Sequence, residues 1–172
     1  RFMGRDLRDL HFLPYAVGNE SKHVVTAVKQ EQELIKFVND LNTSAGNSGI
    51  MAFHSAPTDE AAFFAAASIF ETAIDRGFSC ACLSTTQLMN RDNVSMHDVY
   101  LIYGVNDLPN PQAIWSIRDF LRERDGSLRI LVMTSDKALD LDILIHHQLR
   151  IHIDFLFCLE DESMMIKTDY RK

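Results

Sequence analysis

Three cysteines are too few, and odd in number, to build a disulfide framework in a chain of 172 residues. Their spacing fits no such framework, and the count suits a reducing cytosol. No apolar run approaches the ~20 residues that a membrane helix needs. The opening residues Arg1-Phe2-Met3-Gly4-Arg5-Asp6 lack the apolar core of a signal peptide, so nothing points to export. A start on Arg rather than Met is what a trimmed chain would show. Basic charge is also short: 17 Lys and Arg stand against 24 Asp and Glu, a net charge of -7. A domain that acidic gains little from counterion release on DNA, which argues against tight autonomous nucleic-acid binding. Four prolines beside eleven Phe, four Tyr and one Trp exclude a coiled coil. Repeats and low-complexity segments are missing as well.

What is present is a globular composition, 47% apolar and 24% charged, which excludes disorder. The length supports one domain with a sizeable core. The first 21 residues, with Pro14 and Gly18, read as an irregular arm. Leu34, Ile35, Val38 and Leu41 share one face of an amphipathic helix over residues 29–41. Asn42-Thr43-Ser44-Ala45-Gly46-Asn47-Ser48-Gly49 is a run of turn formers. It separates an N-terminal arm and helix (1–48), packed on the core, from the core itself (49–172).

Beyond that joint the pattern is regular. Ile50-Met51-Ala52-Phe53-His54 is a short buried strand. Pro57-Thr58-Asp59-Glu60 starts a helix, with Thr58 as cap and two acids where the dipole favours them. That helix is expected to bury Phe63, Ala67, Phe70 and Ile74 and to stop at Gly77. Strands follow at 78–83, 99–103, 130–133 and 153–159. A helix begun at Asn110-Pro111, burying Ile114, Ile117 and Leu121, and another over 139–148 lie between them. Residues 163–168 are expected to add a short edge strand. Short apolar strands alternating with helices predict an α/β fold of three layers: a mainly parallel five-stranded sheet with right-handed crossovers.

In this architecture a nucleotide sits at the turn after the first strand. The phosphate-binding form is G-x-x-x-x-G-K-[ST], where glycines let amides wrap phosphate, Lys adds charge and the hydroxyl holds magnesium. The corresponding stretch here is Ser55-Ala56-Pro57-Thr58-Asp59-Glu60-Ala61-Ala62. Ser55 and Glu60 stand for the glycines, Ala61 for the lysine and Ala62 for the magnesium ligand. Asp59 and Glu60 also put negative charge where phosphates would lie. After Leu101-Ile102, where an ATPase places an acid for magnesium, come Tyr103 and Gly104; Asp107 is too late. Thr134-Ser135-Asp136 ends the fourth strand at the place of a phosphate-sensing residue. The expectation is no nucleotide, no other cofactor, no metal and no enzyme activity.

From about Val24 to Glu160 the layout resembles the AAA+ domain of bacterial replicative helicase loaders and related transposition ATPases. The resemblance rests on the preceding helix and the strand, Pro loop and Ala-rich helix from Phe53 to Ala67. The Arg76-Gly77-Phe78-Ser79 turn and Asp98-Val99-Tyr100-Leu101-Ile102 complete it. A RecA-like core stripped of the same motifs, as in noncatalytic subunits of recombination or tRNA-modification complexes, has a similar layout. The resemblance implies a P-loop NTPase-like fold and a cytoplasmic pseudo-ATPase. Such a module would contact an ATPase, a helicase or a homologous subunit in a homo- or hetero-oligomer, in DNA replication, recombination or transposition. Two other readings stay open: a nucleotide or small-molecule sensor with a rebuilt cleft, and an accessory nucleic-acid-binding subunit.

Other constellations read as ordinary structure. Cys80 and Cys82, two apart on a strand, face one way, but a zinc site needs four ligands and only Cys158 remains, so buried core cysteines are expected. Adjacent His146 and His147 diverge by about 100° on a helix, so with His152 and Asp142 they make no metal site. His54, Ser55 and Asp59 are too close in sequence to align as a hydrolase triad. Arg118 and Arg122 share one helix face with Trp115 on an adjoining flank, and Arg124 and Arg129 follow. The plain reading is a solvated face paired with Asp119 and Glu123. The functional reading is a contact surface for a protein partner, or a weak one for DNA.

Overall fold

The computed structural model describes residues 10–17, 23–41, 49–90, 96–105, 111–122, 126–134 and 149–160. The elements among them are β1 (Tyr15–Val17), β2 (His23–Val25), α1 (Ala27–Asp40), β3 (Gly49–Ala56), α2 (Glu60–Asp75) and β4 (Cys80–Ser84). They continue with α3 (Thr85–Met89), β5 (Val99–Val105), α4 (Pro111–Arg122), β6 (Leu128–Thr134) and β7 (Phe155–Glu160). Five strands form one sheet in the order β4-β5-β6-β3-β7, every neighbouring pair parallel. This is the α/β fold that the sequence predicts. The expected helix over 139–148 and the edge strand over 163–168 fall outside the described residues. Among the described residues no helix is long and apolar enough to cross a membrane.

β3 is the middle of the molecule, held between β6 and β7 and buried along nearly all its length. Its side chains alternate between two cores, as strand geometry requires. Met51 and Phe53 meet α1 and α2, with Phe53 stacked on Phe157 at 5.1 Å. Ile50 and Ala52 face the opposite cluster, which holds Leu88 of α3 and Ile117, Phe120 and Leu121 of α4.

α2 presents a different face from the one its large residues suggest. The stripe against the sheet is Ala62, Ala65, Ala66, Ile69 and Ala73, all fully buried, whereas Phe63 and Phe70 sit at its margin and Ile74 is 50% exposed. Small side chains let the helix axis approach the sheet, and the bulky ones fill the flanks. Ile35 of α1 is likewise exposed while Leu34 and Leu41 are buried. The stop at Gly77 is as expected. Its φ of +88° carries the left-handed turn, with Gly77 N–H on Ile74 O and Phe78 N–H on Ala73 O.

The described part of the arm, residues 10–17, is not irregular. β1 and β2 pair antiparallel, and the segment before them runs antiparallel to β7, with Phe12 opposite Leu159. Leu13 N–H donates to Cys158 O and Glu160 N–H to His11 O, each at 2.8 Å. Fully buried Gln30 fastens this junction. Its amide nitrogen donates to Leu13 O and its amide oxygen accepts from Cys158 N–H, both at 2.8 Å. α3 is a second element absent from the sequence reading, started by a Ser84–Gln87 capping box.

Candidate functional site

Strand alternation turns Ser55 toward α2 and its neighbour His54 toward the other face. Both are buried. Residues 57–59, entered through a cis Ala56–Pro57 peptide, connect β3 to α2. Ser55 closes this turn on itself. Its hydroxyl donates to Thr58 O at 2.7 Å and accepts from Ala62 N–H at 3.1 Å. Thr134, at the end of β6, donates its own hydroxyl to Ser55 O at 2.7 Å. Phe63 N–H is taken by Asp59 O.

These contacts revise the helix start. Asp59 is the N-cap and makes no side-chain cap bond, and Thr58 offers Glu60 N–H only a 3.4 Å contact. Ser55 reaches across to do the capping, because the turn is tight enough to bring Ala62 N–H to it. An amide that would face phosphate in a phosphate loop is here satisfied by the chain's own hydroxyl. Glu60 is exposed, while Ala61 and Ala62 are packed into the first core cluster. The same arrangement answers the triad question: His54 points away from Ser55, whose proton is already committed to Thr58.

Tyr103 and Gly104 lie inside β5, which runs two residues past its expected end. The β5–β6 register shifts between Ile102 and Val105, and Gly104 supplies a φ of +85° there. Tyr103 is half-buried and meets the Phe63 ring edge-on at 6.2 Å. Aromatic packing thus occupies the strand end beside the first turn of α2.

Of the arginine group, the two whose side chains are described, Arg118 and Arg129, do not share a surface. Trp115 is 51% exposed, Arg118 is half-buried on the same helix, and Arg122 belongs to the last turn of α4. Arg124 falls outside the described residues. Arg129 must be withdrawn as a contact residue, being only 2% exposed. It lies on β6 beneath α4, where its guanidinium donates to Phe120 O and stacks 4.4 Å above the Phe120 ring. The strand begins two residues earlier than the apolar run suggests, and alternation then turns Arg129 inward. It borders a cleft of about 150 Å³ with Gly49, Ile50, Leu121, Gly126, Ser127 and Asp154. That cleft lies at the opposite end of the sheet from the closed turn.

The cysteines divide. Cys158 is buried, and desolvation pushes its thiol up to about 12. Cys80 is half-buried and Cys82 exposed, because β4 is the edge of the sheet. Among the described residues no three His, Cys, Asp or Glu side chains are grouped to hold a metal. His152 N–H bonds Leu149 O in a local turn, and His146, His147 and Asp142 fall outside the described residues.

No family model matches the chain, and no curated protein matches it in sequence. Solved structures do match. The crystal structure of the DnaC helicase loader gives a TM-score of 0.51 at 14% identity, over 84% of this chain and 93% of that one. The Aeropyrum pernix ORC2 protein, in ADPNP-ADP complexes, gives 0.46 at 12% identity over 90% and 50%. Saccharomyces cerevisiae RIF2 gives 0.42 at 10% identity over 73% and 54%. Identities this low speak to fold alone. On the DnaC match, the chain shares its α/β fold with that helicase loader.

Proposed function

We propose that this chain is a noncatalytic interaction module on a P-loop-type fold, working beside an ATPase- or helicase-type assembly in DNA replication, recombination or transposition. The observation that carries the reading is Ser55. Its hydroxyl spans Thr58 O and Ala62 N–H, so the turn that holds phosphate in active relatives of the fold is filled from within. Ala61 in place of the lysine, two acids at Asp59 and Glu60, and Tyr103-Gly104 in place of a magnesium-binding acid support it further. With no chemistry at the turn, the selectable property is surface, and the exposed Trp115 beside Arg118 on α4 is the partner face we assign. The inward position of Arg129 takes away part of the basic patch that a nucleic-acid-binding subunit would use. The fold shared with a helicase loader is what favours a replication-type setting in this reading.

The test is calorimetric titration with magnesium-ATP and magnesium-ADP at millimolar concentration. The expected result is no binding heat. A micromolar dissociation constant would overturn the pseudo-ATPase reading and favour a nucleotide sensor.

A further inference from the structure

We draw no further inference here: the strongest candidate, the cleft bordered by Arg129 and Asp154 at the starts of β3, β6 and β7, carries none, because the Arg129 guanidinium is already engaged by Phe120 O and the Phe120 ring, the Asp154 carboxylate already accepts from Ile50 N–H at 2.9 Å, and nothing in the structure shows what would occupy the space between them.

Discussion

Ser55→Ala deletes one oxygen from a fully buried position and tests whether the closed turn is structural. Two hydrogen bonds disappear, with unequal consequences. Thr58 is at the surface, so water can replace the donor to its carbonyl. Ala62 N–H is at a fully buried residue in the first turn of α2 and gains no substitute. Leaving the buried Ala62 N–H without its capping acceptor costs ~1–3 kcal/mol. In a chain of this size that corresponds to a fall in Tm of roughly 3–10 °C. Urea unfolding and scanning calorimetry should be run beside Glu60→Ala, an exposed change in the same turn expected to stay within ~0.5 kcal/mol. A Ser55→Ala loss below ~0.5 kcal/mol would refute the capping argument. Restoration of stability by millimolar phosphate or magnesium-ATP would show that the turn's amides can serve a ligand, against the proposed function.

Three further outcomes are expected. Gln30→Ala removes the stitch between the arm, α1 and β7 and leaves Cys158 N–H without its acceptor, a loss of about 2–4 kcal/mol by chemical denaturation; unchanged stability would mean the arm does not depend on it. Burial pushes Tyr15 from 10.0 and Cys158 from 9.0 up to about 12, so folding favours their neutral forms. Stability should stay level up to about pH 9 and fall as pH climbs toward 12, and Tyr15→Phe should flatten part of that slope; Tm against pH decides it. Arg118→Glu with Arg122→Glu should lower stability by no more than ~1 kcal/mol yet abolish capture of the protein's partner. A folded double variant that binds as before would move the contact face away from α4.

The α/β fold was legible because β3, β5, β6 and β7 are short, nearly continuous apolar runs with turn formers between them, the mark of parallel strands buried on both sides. β1 and β2 were not, since three residues carry too little alternation to register. α2 was placed correctly but its face was misread, because Phe63, Phe70 and Ile74 outweigh alanine in any sum of hydrophobicity although alanine suits the close approach to the sheet. The departure of the string Ser55 to Ala62 from G-x-x-x-x-G-K-[ST] is visible in the sequence. That the Ser55 hydroxyl caps α2 is visible only once a turn brings residue 55 within 3.1 Å of residue 62. Exposure of Cys82 could not be read at all, because it depends on strand order, which local pattern does not encode. Arg129 was recoverable in part: Leu128-Arg129-Ile130 alternates like a strand, and starting β6 at Leu128 turns the arginine inward.

The clasp between the arm and β7 has a consequence for the order of folding. Gln30 meets Cys158 across a separation of 128 residues, and Tyr15 donates to Leu156 O across 141. Contacts this distant in sequence slow folding, because the loop entropy is lost before the contact returns anything. During synthesis the arm and α1 emerge long before the strand that secures them, so Leu34 and Leu41 wait exposed while β3 to β6 assemble. β7 is the last of the described sheet strands to leave the ribosome, and its arrival does two things at once: it pairs with the free side of β3 and gives the arm its partner. Folding of this chain should therefore be a late, single closure rather than a stepwise gain, with refolding rate far more sensitive to changes in β7 than to equal changes in β4.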